Sequence, residues 1–124
     1  MARKQFQIWN VAGEEYKLKL STSGICKLEE KLKMGLMDVL ETSKNMPPLS
    51  IMLTVTHAAL KEQHSGIKQV DVEKMFDKYI EEGGSQLQFF TDVFMGIYQV
   101  SGFFTEDQSE MMDVKLAEAK EEME

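Results

Sequence analysis

The sequence predicts a mainly α fold, a small bundle of four to five helices preceded by a β-hairpin. Three observations carry that expectation. Apolar residues alternate over about residues 5–20 and then recur at a spacing near 3.6. Ser or Asp stands before several apolar runs, and Gly or Pro ends them. At 124 residues the chain has the length of one domain that buries a core without disulfide or metal staples.

In "QFQIWNVAGEEYKLKLS", Phe6 and Ile8 mark one strand and Tyr16, Leu18 and Leu20 the next, with Lys17 and Lys19 pointing the other way and Ala12-Gly13-Glu14 as the turn. A lone hairpin is marginal in water, so this one is expected to lie on helices or to join a neighbour's strands. The period then changes. Ser21, Thr22 or Ser23 caps a helix whose Ile25, Leu28 and Leu32 share a face, while Lys27, Glu29, Glu30 and Lys31 face solvent and Gly35 ends it. "LMDVLE" reads as a short second helix, and "SKNMPP" breaks the chain, Pro47 and Pro48 leading into the first turn of the next helix.

"LSIMLTVTHAALKEQH" is apolar round much of its circumference, as a helix buried on several sides should be, with Gly66 as its end. "VDVEKMFDKYIEEGG" is amphipathic: Asp71 is the expected cap, Val72, Met75, Phe76, Tyr79 and Ile80 form the stripe, and Gly83 and Gly84 stop it. Ser85 caps the last helix of the body, whose stripe runs through Leu87, Phe90, Val93 or Phe94, Ile97 and Val100 to Gly102. A compact domain is thus expected over residues 1–104. Residues 105–124 form an acidic tail, flexible or helical, with a thinner stripe of Met112, Leu116, Ala119 and Met123.

Charge is concentrated in that tail. Eight acids against Lys115 and Lys120 give it a net of −6 of the chain's −7, and the pI is about 4.9. Such a balance disfavours nucleic acid, whose phosphates must be neutralised by Lys and Arg. No run approaches the roughly 18 apolar residues of a membrane span, and "MARKQFQIW" lacks the apolar stretch of a signal peptide. With the lone Cys26 unable to form an internal disulfide, a cytoplasmic setting is expected.

The motifs of chemistry are missing. His57 and His64 are seven residues apart, two ligands where a metal site needs three or four. Cys26 has no motif around it and reads as a buried, inert thiol. Ten methionines and an acidic chain invite comparison with calcium sensors, but a loop with Gly66 at its sixth position puts Lys61, Gln63 and Ser65 where oxygen ligands belong and Val72 at the twelfth. Gly83-Gly84 lacks the Gly-Lys-Ser/Thr of a phosphate cradle, and the pairs Glu29-Glu30 and Glu81-Glu82 read as solvated charge. No catalytic residue, metal or cofactor is therefore expected.

What remains is a surplus of sticky side chains. Seven Phe, three Tyr, one Trp and ten Met exceed what the inward stripes take up, and aromatics and Met are enriched at interfaces. Phe89, Phe94, Met95, Tyr98, Phe103 and Phe104 are the candidate partner or self-association surface.

The order of "YKLKLSTSGICKLEEKL", "MPPLSIMLTVTHAAL", "VDVEKMFDKYIEEGGS" and "FFTDVFMGIYQVSGFF" resembles the tail assembly chaperones of long-tailed, siphovirus-type bacteriophages and related prophages of Gram-positive hosts. The likeness covers roughly residues 15–104 and lies in segment order and phrasing, with no catalytic motif. It implies a non-enzymatic, self-associating protein of the host cytoplasm that binds the tape measure protein, helps recruit tail tube subunits and is absent from the finished virion. It also implies a longer frameshifted form, whose extension would begin near "LAEAKEEME". The competing expectation is a small cytoplasmic helical adaptor or regulator that binds another protein; a metal-dependent enzyme is the third.

Overall fold

The computed structural model describes residues 5–42 and 46–123. The fold is mainly α behind a two-stranded antiparallel hairpin, in the order β1 (Gln7–Val11), β2 (Glu14–Leu18), α1 (Thr22–Leu32), α2 (Leu36–Thr42), α3 (Leu49–Lys61), α4 (Gln69–Glu81), α5 (Gln86–Phe89), a π-helical segment (Phe90–Phe94), α6 (Met95–Val100) and α7 (Glu106–Met123). Ser43, Lys44 and Asn45 of the expected break lie outside the described residues.

Hairpin pairing is in register from Gln7 opposite Leu18 to Val11 opposite Glu14. Ala12 and Gly13 both have positive φ, 53° and 78°, the two-residue turn whose twist matches that of the strands. The face of β1 that meets the core corrects the sequence reading: Gln7, Trp9 and Val11 are buried, while Phe6 and Ile8 are half-buried on the other side. Trp9 decides the parity, because its ring has the larger apolar surface to hide. On the outer face the Lys17 ammonium stands 5.3 Å from the Phe6 ring centroid. The free edge of β2 is covered by α3, through Lys19 N–H to the Ala59 carbonyl at 3.4 Å, and by the turn that follows it, through Lys17 N–H to His64 Nε2 at 3.1 Å.

Local chemistry accounts for the helix ends. Ser21 caps α1 by accepting from Gly24 N–H at 3.0 Å. That helix stops at Lys33, in the left-handed region at φ 59°, two residues before the glycine expected to end it. Asp71 works from inside the first turn of α4, accepting from Lys68 N–H at 2.9 Å. Ser85 caps α5 through Gln88 N–H. Thr105 and Gln108 form a reciprocal capping box at the start of α7, with bonds of 2.9 and 3.1 Å.

The acid pairs are less idle than solvated charge. Glu29 is half-buried and accepts from Leu36 N–H at 2.8 Å, capping α2 from the preceding helix. Glu82 accepts from Ala12 N–H at 3.0 Å and so ties the hairpin turn to the end of α4. In each pair one carboxylate holds a backbone donor that would otherwise lack a protein partner.

The centre of the molecule is the run from 86 to 100. Every residue from Val93 to Tyr98 is buried, matched by α3, in which Met52, Leu53, Val55, Thr56, Ala58, Ala59 and Leu60 are buried. As expected, α3 is buried on several sides, but it ends at Lys61, short of the expected stop at Gly66. The glycine stop of α4 agrees with the structure, while its stripe loses Ile80, which is 42% exposed. Among the described residues no helix is long and apolar enough to cross a membrane.

Candidate interaction surface

Four of the six side chains expected at an interface are core residues: Phe89, Phe94 and Tyr98 have no exposed surface and Met95 has 3%. A widened turn makes this possible. Met95 N–H bonds the Phe90 carbonyl five residues back, and that insertion rotates the following side chains relative to those before it. Phe89 then points into a cluster with Trp9, Phe76 and Tyr79, at ring separations of 5.1, 5.2 and 5.9 Å. Phe90, Phe94, Tyr98 and Phe103 climb another side in successive contacts of 6.1, 5.2 and 4.8 Å. Edge-to-face geometry dominates the first cluster, where each pair adds about 0.5–1.5 kcal/mol beyond area burial.

The hairpin locks the widened turn. Gln7 Nε2 donates to the Asp92 carbonyl at 2.8 Å and to the Ile8 carbonyl at 2.9 Å, giving the π segment a partner from a residue 85 positions away. Gly96 lies directly against the Gln7 side chain, so a Cβ there would collide with the carboxamide. Tyr98 reaches past this core to donate its hydroxyl to the Leu36 carbonyl at 2.8 Å. Burial, with the Glu29 charge second, holds the Tyr98 phenol well above its ordinary value; the same two kinds of effect, with Asp92 as the charge, push Tyr79 up to about 12.

Phe103 and Phe104 are half-buried and pack on the core, with Phe103 N–H bonded to the Tyr98 carbonyl. They stand at the foot of α7. One side of that helix is held: Met112 packs on the core, and Gln99 Nε2 donates to Asp113 Oδ1 at 3.0 Å. The other side is open, with Met111 63% and Val114 59% exposed one turn apart. The side chains of Leu116, Ala119 and Met123, expected in the tail's stripe, lie outside the described residues. The surface thus moves from the 89–98 run to Phe103, Phe104, Met111 and Val114.

A second concave feature lies between α1 and α3, an open groove of about 220 Å³. Leu28 and Ala58 form its floor and Lys27, Lys31 and Lys61 its rim. The histidines are used structurally: a His57 ring nitrogen is 2.8 Å from the Ile67 carbonyl, and His64 accepts from β2. Cys26, expected buried, is exposed, because α1 presses only its Leu28 side into the core and turns the next residue but one outward. Among the described residues no three His, Cys, Asp or Glu side chains are grouped to hold a metal ion.

A family described as of unknown function (DUF6096) matches residues 2–123, and the chain belongs to it. No curated protein and no solved structure matches the chain.

Proposed function

We propose that this member of the family of unknown function is a non-enzymatic tail assembly chaperone of a long-tailed bacteriophage or prophage of a Gram-positive host. It binds the tape measure protein, assists recruitment of tail tube subunits in the host cytoplasm, and leaves before the virion is complete. The identity of the role rests on the segment resemblance over roughly residues 15–104. The observations that support a binding role are Phe103 and Phe104, half-buried just ahead of α7, and Met111 and Val114, exposed on that helix. A helical client needs an apolar strip to lie against, and Met side chains repack against varied partners at little cost.

Co-expression of the chain with the tape measure protein of its own genome tests the reading. The client is expected to stay soluble and to co-purify, and Phe103→Ser combined with Met111→Ser and Val114→Ser should lose it while far-ultraviolet circular dichroism still reports a helical body. A genome with no tube gene upstream and no long tape measure gene downstream, together with no co-purification, would favour the adaptor reading instead.

A further inference from the structure

We propose that the groove between α1 and α3 is the docking site for the outward face of α7 from a second copy of this chain. The groove has an apolar floor, Leu28 and Ala58, 4% and 8% exposed, under a rim of lysines. Lys27 and Lys31 stand one turn apart on α1, and Lys61 closes the end of α3. In a chain of net charge −7, none of these three lysines has an ion-pair partner among the described residues. The one acid among the described residues that line the groove, Glu62, is engaged at the start of α1, where it accepts from Ser21 N–H at 2.8 Å.

The complement is on the same chain. Asp107, Met111, Val114 and Glu118 follow one another at spacings of four, three and four residues, which puts them on a single face of α7, with Glu110 beside it. All five are exposed. Two apolar side chains flanked by acids match an apolar floor flanked by lysines, in polarity and in sign. Met112 and Asp113 hold the opposite side of α7 to its own body, leaving both this face and the groove open in one molecule, so the partner is another copy. The two surfaces differ from each other, so assembly proceeds either by reciprocal exchange in a dimer or head to tail.

The Met111 and Val114 face is the one proposed above for the client, so the second copy holds it until the client displaces it. Sedimentation velocity on the full chain alone tests the self-contact without any client, and its failure leaves the tape measure reading standing. At about 50 mM salt the mass should exceed one chain, and at about 500 mM it should fall toward it as screening weakens the pairs. One variant carries Lys27→Glu, Lys31→Glu and Lys61→Glu; the other carries Asp107→Lys, Glu110→Lys and Glu118→Lys. Each should run as a single chain of about 14.2 kDa at low salt. Mixing the two should restore association, because each then offers what the other lacks. A wild type that runs as one chain at low salt, a groove variant that assembles as wild type does, or two helical variants that ignore each other on mixing would each overturn the proposal.

Discussion

The helical run 86–100 and the helix α7, 106–123, are built from similar apolar residues and end in opposite places. The first is buried on nearly all sides; the second keeps Met111 and Val114 in water. Charge separates them. Asp92 is the one residue of 86–100 that carries a charge at neutral pH, so almost any face can leave water, whereas α7 carries acids on most of its circumference and only a narrow side around Met112 is cheap to bury. A count of Phe and Met therefore says little about stickiness. The charges interleaved with them say more.

The sharpest break of this comparison is Phe89→Ala against Met111→Ala. The first should cost about 3–5 kcal/mol in chemical denaturation, as it empties the site between Trp9, Phe76 and Tyr79, and the second should stay within about 0.5 kcal/mol. Comparable losses would mean α7 is as much part of the core as the central run. Next in size is the Gln7 lock. Gly96→Ala should cost about 1–3 kcal/mol by overpacking and Gln7→Ala a similar amount by removing the buried bond to the Asp92 carbonyl, and the double variant should cost clearly less than the two together, since the collision goes with the side chain.

At the tail, Thr105→Ala removes half of the capping box and should reduce the helix signal of α7 by circular dichroism while the denaturation midpoint of the body shifts little. The smallest effect is alkaline. Tyr79 has its folded value raised from 10.0 to about 12, so the unfolded chain loses that proton first. Its contribution to stability is full below pH 10 and declines as pH rises from there toward 12. A phenolate absorbance titration of the folded protein should show ionisation delayed relative to the denatured chain; a single transition at 10.0 in both would place Tyr79 in solvent.

Much of the fold was legible because its signals are short-range. Ser21, Ser85 and the glycines after α4 act within a turn of where they stand, and the hairpin turn at Ala12-Gly13 is a two-residue event. Thr105 and Gln108 offered the same kind of signal, Thr-x-x-Gln ahead of a helix, and it points to the start of α7. The candidate surface was legible only in part. Phe103 and Phe104 stay half-buried, but Phe89, Phe94, Met95 and Tyr98 look identical to surface aromatics and methionines until the packing partners are placed.

From the sequence alone came the element order, several helix ends and the charge split between body and tail, because each depends on residues within a few positions of one another. The tertiary structure alone decided the inward parity of β1, the π turn at 90–94, the duties of Glu29 and Glu82, and which aromatics are hidden. Those outcomes turn on contacts such as Gln7 with Asp92, across 85 positions, where the free energy of packing two distant faces outweighs the preference of either segment by itself.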